Sequence, residues 1–297
     1  VKPAPFAYVA PDSVEGVVDA LVDGGDDAKV IAGGQSLLPI LALRLGRPSI
    51  LVDVGRVAGL DTVRVDADGT LVIGAGVTHA ILGRDSVIAD RLPLLAEVAP
   101  LIAHGAIRNR GTIGGSLAHN DPAAELPAVA LLTDATVTVE GAGGRRSIAA
   151  AELFVSYLTT SIAPDEVLAQ VRVPAAGIGV GDAFAEVSRR HGDFALVGAG
   201  ARVRVGDDGR VTTARLVFIG VDSTAVLDVD TPAALVGTMP TAEDLAEIAR
   251  IAAARLEPHD DLHASAAYRR RVAATLGARV LAEALDRAAA SHTWVTA

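Results

Sequence analysis

Two short glycine-paired segments, Ala32-Gly33-Gly34-Gln35-Ser36 and Thr112-Ile113-Gly114-Gly115-Ser116, constrain this chain more than any other feature of it. In each, a Gly-Gly pair is followed within two positions by a serine. Glycine admits φ > 0 and lets backbone N–H groups approach an anion with no Cβ in the way. The first segment ends a buried-strand run, Lys29 to Ala32, and opens a helical pattern after Ser36 that tolerates Pro39 in its first turn. Unpaired N–H groups at such a helix start favour an anion, and neutralisation by backbone dipoles would explain why neither segment contains a lysine. Two such loops facing each other could hold a pyrophosphate. The plain alternative is that each is a tight turn and nothing more.

The surrounding patterns predict an α+β or α/β arrangement, not a helix bundle. A helix is expected near 13–23, after a sequence that resembles a capping box (Asp12-Ser13-Val14-Glu15), and strands at 50–54, 63–65 and 70–74, the last two joined by Asp66-Ala67-Asp68-Gly69. A helical stretch near 91–99 precedes the second glycine segment. After that segment, PAAELPAVALL reads as a buried helix with Pro122 at its start, and ATVTVE and EVLAQVRVP read as strands. The glycine-rich joint AAGIGVGD, residues 175–182, marks the main domain boundary. Beyond it come strand-like runs at 183–190, 195–205 and 211–220 and then two helical patterns, at 241–256 and 264–290, the order of a separate α+β unit. At 297 residues the chain has room for two or three such units, since domains commonly run to about 100–200 residues.

Composition narrows the chemistry. No run approaches the ~18–20 apolar residues of a membrane span, and the N-terminal stretch has no export signal, so a soluble cytoplasmic protein is expected. The absence of cysteine excludes disulfides, thiolate nucleophiles and any iron–sulfur cluster ligated by this chain, so redox work here would need a borrowed cofactor. A formal charge of −10 argues against nucleic acid, which is bound chiefly through Lys and Arg clusters.

Residues 108–127, RNRGTIGGSLAHNDPAAELP, also admit a hydrolase reading through Ser116, His119 and Asp121. Triad members come from segments distant in sequence, and a nucleophile elbow would need glycine where Ala118 stands. A metal could use His119 with Asp121, or His259 with His263 at helical i,i+4 spacing, but zinc needs three or four convergent ligands; a polar turn at HDDLH is the simpler reading. No Walker sequence occurs, and GAGVTHA, GIGVGD and GAGARVRVG each lack the last glycine of the Rossmann fingerprint.

Four stretches, AGGQSLLP at 32–39, IRNRGTIGGSLAHNDPAAELP at 107–127, RRHGDFALVG at 189–198 and HDDLHASAAYRRR at 259–271, together resemble the FAD-binding medium subunit of molybdenum hydroxylases, the group of carbon monoxide dehydrogenase and the bacterial xanthine dehydrogenase-like enzymes. The resemblance implies an α+β fold. An FAD-binding domain of the vanillyl-alcohol oxidase (PCMH) type would span 1–176, in two parts at about 1–56 and 57–176, and a smaller C-terminal α+β domain 177–297. It implies that Ala32, Gly33, Gly34, Gln35, Ser36 and Leu37, with Thr112, Gly114, Gly115 and Ser116, enclose the FAD pyrophosphate. Glu125 would meet the adenosine ribose with help from Asp121, and Ile102 and Leu168 would contact the cofactor.

By the same resemblance, no side chain here is a catalyst and none binds a metal. His104, His119 and His191 are structural or pocket-edge groups. The molybdenum cofactor and [2Fe-2S] clusters would sit on a large and a small partner subunit in a dimer of heterotrimers. Electrons would pass from the clusters to FAD and on to an external acceptor. The helix beginning near Ala264, with Tyr268, Arg269, Arg270 and Arg271, is either a partner contact or a solvated face. Relatives often carry a lysine just after the phenylalanine of the strand at 183–187, where this chain has Ala185 followed by Glu186, which puts in doubt a cofactor contact from that strand. Phe194 is either a residue packed near the flavin ring or a core residue. The rival readings are a self-contained FAD-dependent oxidase or dehydrogenase and a cofactor-free assembly protein.

Overall fold

The computed structural model describes residues 2–293; residue 1 and residues 294–297 of the two expected domains lie outside the described residues. The chain begins with a small parallel sheet of β1 (Ala7–Val9), β2 (Ala28–Ile31) and β3 (Ile50–Asp53), in the order β1-β3-β2. Helix α1 (Val14–Gly24) covers it by burying Val17, Val18 and Leu21. Ser13 caps that helix by accepting from Gly16 N at 3.1 Å, so the capping-box sequence supplies one of its two bonds. Between β2 and β3 lies the six-residue α2 (Leu37–Ala42).

The second unit is an antiparallel sheet, ordered β4-β5-β10-β6-β7, of β4 (Val63–Val65), β5 (Leu71–Gly74), β6 (Thr136–Gly141), β7 (Gly144–Ala149) and β10 (Val167–Val173). Short helices α3 (His79–Leu82), α4 (Ser86–Arg91), α5 (Pro93–Val98), α6 (Gly105–Arg108) and α7 (Ile113–His119) fill the excursion from β5 to α8 (Glu125–Leu132). After β7 come α9 (Ala150–Leu153) and a two-stranded hairpin, β8 (Phe154–Ser156) with β9 (Thr159–Thr160).

Every residue of α8 is buried. Its sequence, ELPAVALL, is apolar on all sides because it has no solvent face: one core joins it to Leu71, Ile73, Val171 and Val173 of the five-stranded sheet and to Val217 and Ile219 of the sheet beyond. That further sheet runs β11 (Val180–Val187), β12 (Val197–Val205), β13 (Val211–Ile219) and β14 (Val226–Asp228), all antiparallel. Helices α10 (Ala242–Ala254) and α11 (Ala266–Thr293) cover its other face, with Phe218, Leu245, Val280 and Leu281 in the core between.

Expected and observed elements differ in places. Pro122 stands outside α8, which starts at Glu125, and it is Pro127 that occupies the helix's first turn, where its missing N–H leaves no bond unmade. Strand β11 begins at Val180, so the expected joint at 175–182 is shortened by the strand it leads into. His259 and His263 are exposed in a non-helical segment; Asp261 Oδ1 accepts from the His263 and Ala264 N–H groups at 2.8 Å, the polar turn and not a helical face.

Candidate functional site: two glycine segments in contact

Strand β2 ends at Ile31, and the chain turns at Gly34 with φ 73°, a left-handed conformation that a side chain would strain. Gln35 folds its amide back onto the Gly33 carbonyl at 2.9 Å, and Leu38 N–H bonds the Gly34 carbonyl at 3.0 Å. Among the described residues, the N–H groups of Gly33, Gly34, Gln35, Ser36 and Leu37 donate no hydrogen bond. Five consecutive free donors on half-buried or exposed residues give a positively polarised stretch of backbone, which suits an anion.

The second glycine pair is built differently. Gly114 and Gly115 lie in the first turn of α7, whose N-cap Thr112 accepts from Gly115 N at 3.0 Å. Ile113 N and Gly114 N bond the carbonyls of Val77 and Ala75 at 3.0 and 2.9 Å, which leaves the Ser116 hydroxyl, and not these backbone groups, as a free donor. A Cβ on Gly114 would stand 2.5 Å from that of Ala75, so this glycine permits close packing, not a left-handed turn.

The fold brings the two segments together. A Cβ on Gly33 would lie 2.1 Å from the Arg110 carbonyl oxygen and one on Gly115 3.8 Å from the Ala32 Cβ, so backbone rests on backbone. Ile102 and Leu168 are buried in the large core, Leu168 at an irregularity in the pairing of β10 with β6. After α7, Asn120 adopts φ 50° and donates from Nδ2 to the Ser156 and Thr159 carbonyls at 2.8 and 2.9 Å, tying the β8–β9 hairpin to the motif. Asp121 Oδ1 accepts from Ala123 N at 2.8 Å, and Glu125 opens α8 from a buried position.

Among the described residues, Glu125 and Glu186 are the carboxylic acids pushed above the ordinary range. Burial first, then the charges of Glu186 and Asp121, push the Glu125 carboxyl up to about 8. Burial pushes Glu186 up to about 7, and its Oε2 has no partner.

Two supporting residues were not singled out by the sequence, and a third, Arg269, was read as either a partner contact or part of a solvated face. His79, in the GAGVTHA stretch, is buried with Nε2 3.0 Å from the Thr112 carbonyl; burial drives its pKa down to about 4, so the neutral ring holds the N-cap of α7. Arg108, inside the second motif, clamps the carbonyls of Pro100, Ile102 and Ala103 at 2.7 to 3.1 Å and so fixes the segment carrying Ile102. Arg269 is 7 % exposed and bonds the carbonyls of Leu196 and Gly220 and the Asp261 carboxylate, so the arginine run is not one solvated face. Phe194 is 72 % exposed, which removes the core alternative. Among the described residues no group of three or more His, Cys, Asp or Glu could hold a metal ion.

Comparison with known proteins gives this geometry its setting. Residues 4–176 match the FAD binding domain in molybdopterin dehydrogenase, and residues 182–284 match the CO dehydrogenase flavoprotein C-terminal domain. The chain belongs to the family of FAD-binding medium subunits of molybdenum hydroxylases. It is 48 % identical to the 6-hydroxypseudooxynicotine dehydrogenase complex subunit alpha of Paenarthrobacter nicotinovorans, over 97 % of both chains. Its fold superposes on carbon monoxide dehydrogenase from Hydrogenophaga pseudoflava with a TM-score of 0.93 at 38 % identity, covering 97 % of this chain and 99 % of the other. Quinoline 2-oxidoreductase from Pseudomonas putida 86 gives 0.92 at 38 % identity, with the same coverage. This medium subunit is therefore an oxidoreductase subunit with an FAD-binding domain of the PCMH type followed by the C-terminal domain, the α+β fold expected. Among the described residues no helix is long and apolar enough to cross a membrane.

Proposed function

We propose that this chain is the FAD-carrying electron-transfer subunit of a heteromeric molybdenum hydroxylase in the cytoplasm. The single observation that carries the reading is the row of five free N–H groups from Gly33 to Leu37, held against the segment that leads into α7. It fits the diphosphate of FAD, a dianion that backbone donors can bind without a lysine.

In this reading Ala32 to Leu37 grip the diphosphate from one side, and Thr112, Gly114, Gly115 and Ser116 close it from the other, with the Ser116 hydroxyl as donor. Glu125, assisted by Asp121, takes the adenosine ribose hydroxyls; a carboxyl pushed up to about 8 can both donate to and accept from them near neutrality. Ile102 and Leu168 form the apolar floor. The division of labour follows the chain, with an FAD-binding part at 1–176, itself in two parts at about 1–56 and 57–176, and a C-terminal part at 177–297. Bound there, FAD would supply one- and two-electron redox chemistry between [2Fe-2S] clusters of a small subunit and an external acceptor, with substrate hydroxylation assigned to molybdenum on a large subunit. The protomers assemble as a dimer of heterotrimers.

Purification of the complex from its host, with flavin, iron and molybdenum analysis, tests the reading. One FAD per medium subunit and two accompanying chains are expected. Substrate turnover by the isolated chain would favour a self-contained oxidase, and an isolated chain that binds no flavin would favour an assembly protein.

A further inference from the structure

Glu125 and Glu186 come from opposite sides of the seam between α8 and the β11–β14 sheet, and the topology turns both toward it. In β11 the odd positions face α11: a Cβ on Gly181 would lie 2.0 Å from the Ala284 carbonyl. The even positions face α8. Phe184 is paired with Gly200, over which Leu132 of α8 packs, and Glu186, two residues on, is paired with Gly198 and through it with Ile219. The next residue, Gly220, donates to the Pro122 carbonyl at 2.8 Å, just before α8 opens at Glu125.

Among the described residues no cation balances the two acids. On the sheet, Arg202 is bound bidentately to Asp182, and Arg215 is paired with Asp134. Arg269, against the Gly220 carbonyl, is paired with Asp261. From the loop before α8 comes Asp121, a third acid, and from the 102–105 segment the ring of His104 lies on Gly192 in the β11–β12 connection. Among the described residues neither Glu125 nor Glu186 has a basic partner, and Glu186 Oε2 is buried without a hydrogen bond. A buried and a half-buried carboxylate so placed repel; one proton between them converts the repulsion into a hydrogen bond.

We propose that Glu125 and Glu186 form a proton-sharing carboxyl pair that latches the β11–β14 sheet onto the start of α8, so that loss of the shared proton loosens the seam and weakens FAD retention. The cofactor part of this inference rests on the proposed binding of FAD beside Glu125. Both carboxyls hold protons well above the ordinary carboxylate range, so the latch is closed near neutrality and opens on the alkaline side.

The test is thermal melting of the flavin-free full chain, together with FAD affinity, each measured between about pH 6 and about pH 9. In the wild type the melting temperature is expected to fall across this range and the FAD dissociation constant to rise about tenfold or more. Glu186→Gln, whose neutral amide can still donate to Glu125, should flatten both profiles. Glu186→Lys, which supplies a cation, should remove or reverse the alkaline decline in melting. A Glu186→Gln profile parallel to that of the wild type overturns the pair. A sloping melting profile with pH-independent FAD affinity overturns its link to the cofactor. A chain that takes up no FAD at any pH, yet melts as described, overturns the flavoprotein reading and not the pair. Should the variants fail to fold, infrared spectra of the wild type decide: a protonated-carboxyl band present near neutrality and lost at about pH 9 is expected, and its absence throughout overturns the proposal.

Discussion

Gly33 has no room for a side chain. The 2.1 Å approach that an added Cβ would make is to backbone, which cannot rotate away, so Gly33→Ala must push the first segment off the Arg110–Gly111 backbone. The variant should lose about 1–3 kcal/mol of stability and bind FAD poorly, read by denaturant midpoint and by flavin absorbance. Ser116 contributes one hydroxyl, and Ser116→Ala should weaken FAD binding by only about 0.5–1.5 kcal/mol, measured by titration of the flavin-free chain. The titrations of His79 and the two glutamates oppose each other. His79 is depressed from 6.5 to about 4, so the stability it contributes is present above 6.5 and lost as the pH falls through 4. Glu125 and Glu186 are raised from 4.5, so their contribution is complete below 4.5 and lost as the pH rises through about 7 and 8. Each proton changes the slope by up to about 1.4 kcal/mol per pH unit. His79→Gln, which can still donate to the Thr112 carbonyl, should flatten the decline between about pH 6.5 and 4 and leave the alkaline one, seen in melting temperature against pH.

At the scale of the element, α7 shows where local reading stops. The Gly-Gly pair at 114–115 reads as a loop because glycine is a poor helix former, yet it forms a helical turn: Thr112 caps that turn, and the Val77 and Ala75 carbonyls take the N–H groups that would otherwise face solvent. Thr112→Ala should cost about 1 kcal/mol, and Thr112→Ser much less, by chemical denaturation. The first pair behaves as its sequence suggests, with Gly34 left-handed and its neighbours' N–H groups free. Helices α1 and α10 were legible because their caps are local: Ser13 in one, and the reciprocal Thr241–Asp244 capping box in the other. Strands β1, β7, β8 and β9 were not. β1 and the hairpin strands are three residues or fewer, and β7, GRRSIA, is largely exposed with little apolar alternation to announce it.

Across the whole molecule, Arg269 locks the C-terminal helix to the ends of β12 and β13. With 8 % of its side chain exposed, it cannot shed its partners to water, so Arg269→Leu leaves the Leu196 and Gly220 carbonyls unpaired and takes from Asp261 its cation. A loss of about 3–5 kcal/mol is expected, as a lower denaturant midpoint at unchanged m-value. In sequence this residue is one of three consecutive arginines. Only the packing of α11 sorts them: Arg269 inward, Arg270 onto the Leu256 carbonyl, and Arg271 outward over the Tyr268 ring at 5.4 Å. The sequence by itself determined the strand and helix periods, the glycine segments, the family and the dependence on a borrowed redox group, because each of these is written in neighbouring residues or in the absence of cysteine. The tertiary structure alone decided that the two glycine segments, some eighty positions apart, touch; that α8 has no solvent side; and that Glu125 and Glu186 face one seam. Contacts between distant segments follow from how sheets and helices stack, and no local pattern encodes that.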